Sequence, residues 1–114
     1  MNDEYVKTFK LSELPNKKGK QFQLDDDHEI AVFKIYDKVY AVDNICPHNH
    51  VPQMYDGYID EMYVTCPIHG FKFHLETGEQ PTKIGCKLKT YELKIENDYI
   101  YVKKPKRKLF DFHF

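Results

Sequence analysis

The sequence predicts an all-β domain of many short strands, a sandwich or barrel, and three observations carry that reading. Tyr, Phe, Val and Ile recur in short blocks along the chain: "YVKTFKL", "GKQFQL", "EIAVFKIY", "VYAVD", "YVTC", "FKFHL", "TYELKIE" and "YIYVKK". Between these blocks lie joints of turn-forming residues, "NKKGK", "DDD", "YDK", "DE", "LETGE" and "END", whose Gly, Asn and Asp tolerate the backbone conformations that reverse a chain. Helical spacing is absent apart from "SELP" at 12–15, which is too short for more than one turn.

Each element has a local reason. β-Branched and aromatic residues fill the early blocks around Tyr5, Phe22 and Val32, and such side chains pack well on a pleated surface. The clearest stretch is "YELKIENDYIYV", where Tyr91, Leu93 and Ile95 alternate with Glu92 and Lys94 as on a strand with one buried face. Asn97-Asp98 then makes a tight hairpin into Tyr99–Val102. Two stretches break the pattern, "NICPHNHVPQMYDG" and "CPIHGFKFHLETGEQP". Both are irregular, proline-containing and rich in Cys and His, and they read as long loops at one end of a β scaffold, the place where function concentrates.

With 114 residues the chain has the length of one domain, enough to bury roughly two thirds of its unfolded surface. The expected organisation is a single domain over 1–104, with a loop-built subdomain at about 44–84 and a tail at 105–114. Lys and Arg number 17 against 18 Asp and Glu, for a net charge of -1, so the body of the protein has no electrostatic case for nucleic acid. Only the tail "KKPKRK" is locally basic, and such runs usually mark solvated termini. The longest apolar runs, such as "IAVF", fall far short of the ~20 residues of a membrane helix. A soluble, cytoplasmic monomer is therefore expected, with no membrane partner. Three cysteines without a secretion signal point to reduced thiols, two of them ligands, rather than a disulfide framework.

The two loops repeat one theme. Cys46 and His48 form C-x-H, and Cys66 and His69 form C-x-x-H, with seventeen residues between His48 and Cys66. One Cys and one His per loop make a symmetric four-ligand set. The same side chains could close a tetrahedral zinc site. Zinc sites, however, usually group the cysteines in one knuckle and the histidines on a following helix, and no such helix is present.

This arrangement, "CPH" in the first loop and "CPIHG" in the second, resembles the Rieske family of 2Fe-2S proteins. The resemblance extends to "VYAVDNICPH", Gly57, "HGFKFHLETGE" and "LKTYELKIENDYIYV", over about residues 5 to 103. It implies an antiparallel β sandwich or barrel base carrying a small cluster-binding subdomain of two loops. It further implies that Cys46 and Cys66 bind one buried iron while His48 and His69 bind the other near the surface. Neutral imidazoles donate less charge than thiolates, so the added electron should settle on the histidine-ligated iron, where a partner can reach it. The second ring nitrogen of each ligand His couples redox state to pH. Gly70 would let backbone approach the cluster, and Pro47 and Pro67 would stiffen the knuckles.

High-potential relatives carry an additional Cys in each loop and a membrane anchor; the matching positions here are Val51 and Ile68. They also have Ser and Tyr where this chain has Phe71 and Phe73, which can donate no hydrogen bond to sulfur. The resemblance therefore implies the soluble, low-potential branch. Its expected role is a stand-alone ferredoxin, an electron carrier rather than an enzyme, passing single electrons from a reductase to an oxygenase or other redox enzyme. The alternative is a Rieske-like small subunit or redox-sensing module of the nitrite-reductase type.

Four further residues need a reading. His50 stands where the family usually has glycine, which opens the path of the first loop to question. His28, in "DDDHE", reads as a residue of a solvated turn, and His74 as a satisfied or surface histidine. Cys86 reads as a small buried residue, with a redox-active thiol as the alternative. His113 falls in the tail.

Overall fold

The structure is a computed structural model that describes residues 4–47, 50–68 and 70–105. The described residues form ten strands and two single-turn 3-10 helices, with no α-helix among them. This is the all-β class the sequence predicts, and "SELP" contributes to the first 3-10 turn, Leu11–Glu13.

Three antiparallel sheets are present. The first joins β1 (Tyr5–Lys10), β10 (Tyr99–Lys103) and β9 (Leu93–Glu96), with β10 in the middle. The second runs β2 (Gly19–Gln23), β3 (Glu29–Ile35), β4 (Lys38–Asp43) and β8 (Thr90–Tyr91). The third is a meander of β5 (Tyr58–Asp60), β6 (Tyr63–Thr65) and β7 (Lys72–His74).

β3 explains how the sheets stack. Ile30, Ala31, Val32 and Phe33 are each fully buried, and successive side chains on a strand point to opposite faces. Ile30 and Val32 enter a core shared with Leu14, Leu24, Val39, Ala41, Ile100 and Val102. Ala31 and Phe33 enter a second core shared with Cys46, Met54, Val64, Cys66, Phe73, Leu75 and Leu88. The four-stranded sheet is therefore a middle layer, covered on one face by the β1-β10-β9 sheet and on the other by the loops and the β5-β6-β7 meander. Burying each of the larger side chains contributes roughly 1.5–3 kcal/mol.

One expected strand is two. The alternation at 91–95 predicts a continuous strand, but Thr90–Tyr91 pairs with β4 and Leu93–Glu96 pairs with β10, the chain changing sheets at Glu92. β9 is consequently an edge strand, and Ile95, expected on a buried face, is 41% exposed. The β9–β10 hairpin is as expected: Asn97 (φ 51) and Asp98 (φ 68) carry the two positive φ values of a type I′ turn. β5 has no counterpart among the apolar blocks of the sequence, because it is three residues long with only Ile59 half-buried. The tail beyond 105, including His113, lies outside the described residues.

Candidate metal centre

The first loop leaves β4 at Asn44, whose side chain is completely buried. A buried amide must find partners or cost a few kcal/mol, and here it finds them on both sides. Nδ2 donates towards Glu29 Oε2 at 2.8 Å, Pro52 O at 3.0 Å and Gln21 Oε1 at 3.3 Å. Oδ1 accepts from Tyr55 N–H at 2.8 Å, and the backbone O accepts from Met54 N–H at 3.0 Å. Asn44 N–H donates to Glu29 O at 2.8 Å. Asn44 thus ties the start and return of the first loop to β3. Nothing in the sequence marked it beyond its place ahead of Cys46.

The second loop is held differently, as the connection between β6 and β7. Gly57, just before β5, is packed so tightly against β6 that an added Cβ would lie 2.6 Å from Thr65 O. Phe73 on β7 is fully buried opposite Val64.

The tips of the two loops share one backbone design. Cys46 N–H donates to Val51 O at 3.0 Å, and Cys46 O accepts from His50 N–H at 2.7 Å. Cys66 N–H donates to Phe71 O at 2.8 Å, and Cys66 O accepts from Gly70 N–H at 3.0 Å. In both, the residue four after the cysteine is left-handed: His50 at φ 58 and Gly70 at φ 76. His50, where the family usually has glycine, takes the same left-handed turn as Gly70, and its side chain is exposed.

Cys46 and Cys66 are 0% and 1% exposed and belong to one apolar cluster with Phe73, against which Val51 and Phe71 pack. No disulfide joins the described cysteines. A third loop, 80–88, closes the same cluster through Leu88 and Cys86. Gln80 Nε2 donates to Cys86 O at 3.0 Å and contacts its sulfur at 3.8 Å. Cys86 is half-buried rather than buried, because the loop leaves one side of it open.

His48 and His69 lie outside the described residues, and among those that are described no group of three or more His, Cys, Asp or Glu is placed to hold a metal ion. His74 is a satisfied histidine, as expected: Nδ1 accepts from Glu76 N–H at 3.1 Å and the ring meets Tyr63 edge-on at 5.1 Å. His28 bonds Asp25 at 2.8 Å within its turn.

Two buried thiols thus sit on matching knuckles, carried by loops over one face of a β sandwich. The chain belongs to the family of Rieske-like [2Fe-2S] domains, whose model matches residues 4–103. It is 36% identical over 76 residues to the ferredoxin component of the naphthalene 1,2-dioxygenase/salicylate 5-hydroxylase systems of a Ralstonia species, covering 66% of this chain and 72% of the relative. Solved structures share the fold, two of them over nearly the whole chain. A proposed NADH-dependent nitrite reductase small subunit from Mycobacterium tuberculosis superposes with a TM-score of 0.86 at 20% identity, over 94% of this chain and all of the other. The Sphingomonas yanoikuyae B1 ferredoxin does so with a TM-score of 0.79 at 23% identity, over 90% of this chain and all of the other. The family match supports an iron–sulfur cluster as the cofactor. No helix among the described residues is long and apolar enough to cross a membrane.

Proposed function

We propose that this chain is an electron-transfer protein carrying one electron at a time on one Rieske-type 2Fe-2S cluster, between a reductase and an oxygenase or other redox enzyme. Cys46 and Cys66 would hold one iron, and His48 and His69 the other. The observation that carries the reading is the pair of matching knuckles, each presenting a buried cysteine to a common apolar cluster. The donor set fits the group: two thiols shielded from water on two loops suit a buried iron, and each C-x-H or C-x-x-H pair brings an imidazole to the same loop. When bound, such a cluster supplies a reversible one-electron site whose potential is set by net charge, hydrogen bonds to sulfur and solvent exposure.

The chain's own residues do the rest. Asn44 fixes the first loop on β3, so the thiol of Cys46 need not reorganise between redox states. The apolar neighbours Phe73, Met54 and Leu88 exclude water from the thiolate side. Ile68, the residue before His69 in the second knuckle, is 46% exposed, and it offers an apolar contact to a protein partner. The role of the Ralstonia relative as a ferredoxin component supports the carrier reading.

Iron and acid-labile sulfide analysis of anaerobically purified protein, with EPR of the dithionite-reduced form, tests this. Two irons and two sulfides per chain with a Rieske-type spectrum are expected, whereas stoichiometric zinc without sulfide would reject the reading. The subunit alternative predicts that the endogenous protein elutes within a large complex on gel filtration; the carrier reading predicts a monomer.

A further inference from the structure

Asp43 ends β4, three residues before Cys46, in a setting unlike that of an ordinary surface carboxylate. Tyr91 on β8 donates its hydroxyl to Asp43 Oδ1 at 2.6 Å, within the short range of bonds to a charged acceptor. The Asp43 backbone N–H donates to Lys89 O at 2.9 Å, so the return of the third loop is clasped to the root of the first. Every element packed around this corner contributes a charged or titratable group. Before β8, Lys89 Nζ lies 5.6 Å from the centroid of the Tyr91 ring. The turn before β3 supplies His28, whose ring meets Tyr91 edge-on at 6.3 Å and whose Nδ1 is 2.8 Å from Asp25 Oδ1. Glu29, the remaining carboxylate, is engaged by the Asn44 amide.

Anchoring the first loop needs no charge here, since Asn44 already does it with a neutral side chain. Burial pushes the Asp43 carboxyl above its usual range, an effect that the Tyr91 hydroxyl, Lys89 and His28 only partly offset. Burial and the neighbouring Asp43 push the Tyr91 hydroxyl far up, so it remains a donor. The Cα atoms of Asp43 and Cys46 lie at most about 11 Å apart, somewhat beyond the ~8 Å Debye length of physiological salt, but screening is much weaker for partly buried charges.

We propose that Asp43 is a proton-binding residue that sets the reduction potential of the cluster, with Tyr91 as its positioning residue. This rests on the iron–sulfur reading above. When a one-electron donor reduces the cluster, the added negative charge raises the proton affinity of the Asp43 carboxylate, which takes a proton from solvent; oxidation releases that proton. The potential therefore falls with rising pH in the acid range, separately from any alkaline fall caused by the imidazole ligands. A three- to tenfold difference in proton affinity between redox states corresponds to a total fall of about 30 to 60 mV.

Protein-film voltammetry of the holoprotein between pH 4 and 7 decides, with visible and EPR spectra confirming an intact cluster. Wild type should show the acid-range fall. Asp43→Asn should be flat there and lie above wild type at pH 7 by the same amount. His28→Gln should keep the fall. In Tyr91→Phe the carboxylate remains but loses its donor, so the fall should move to higher pH, which keeps the test decisive if Asp43→Asn loads no cluster. An acid-range fall unchanged in Asp43→Asn, unmoved in Tyr91→Phe or absent from wild type overturns the proposal. Protein with no cluster spectrum at all would overturn the iron–sulfur reading along with it.

Discussion

Four residues after its cysteine, the first knuckle has His50 at φ 58 and the second has Gly70 at φ 76. The hydrogen bonds around them are the same pair in each loop. Glycine adopts the left-handed region freely, whereas an L residue with a side chain pays roughly 1–2 kcal/mol. The comparison teaches that the turn is imposed by what surrounds it. In the first loop Asn44 supplies the anchorage that holds a strained residue in place. In the second, the β6–β7 pairing leaves a short connection that glycine closes without strain.

Breaking the comparison at its centre should have the largest effect. Cys46→Ser and Cys66→Ser should each abolish the cluster, read as loss of the visible spectrum and of acid-labile sulfide, because each knuckle would lose its thiolate. If one variant kept a full cluster, the two loops would not be equivalent.

Next in size is the anchor of the first knuckle alone. Asn44→Ala takes the buried amide away from Tyr55 N–H, Pro52 O and Glu29, three part-buried bonds, and a group left unsatisfied away from water costs about 1–3 kcal/mol. A loss of about 3 kcal/mol is expected in chemical denaturation. Hydrogen exchange should rise in 44–57 while the β6–β7 amides stay protected; equal loss in both regions would show that the loops are not separately held.

Exchanging the turn residues sharpens the contrast. A Cβ at Gly70 would meet no atom within 4 Å, so Gly70→Ala isolates the backbone cost, expected at about 1 kcal/mol. His50→Gly should relieve strain and stabilise by up to about 1 kcal/mol. Denaturation midpoints of the two variants should therefore move in opposite directions.

The smallest effect is electronic. Phe71 and Phe73 flank the second knuckle without a hydroxyl. Phe71→Ser and Phe73→Tyr should each raise the potential, on the order of 50 mV, if the new donor reaches a sulfur, since a donor stabilises the more negative reduced state. Voltammetry of variants with intact EPR signals checks this, and an unchanged potential would place both side chains away from the cluster.

By itself the sequence determined the all-β class, the β9–β10 hairpin and the two cysteine-bearing loops, because those features are local. Alternation, Asn-Asp turns and the Cys–Pro–(x)–His spacings are read within a few residues. It also read His74 as a satisfied or surface histidine and identified the family. Only the tertiary structure decided which faces are buried. "IAVF" looks the same on any buried strand, yet it serves two cores because sheets cover both of its faces. The run at 91–95 was split at Glu92 by competition between two sheets for its edges, a choice no local pattern records. Asn44 and the Asp43–Tyr91 bond, 48 residues apart in the chain, emerged for the same physical reason. Burial and hydrogen-bond partners belong to groups brought together by the fold, and a polar residue carries no mark in the sequence of whether water or protein will satisfy it.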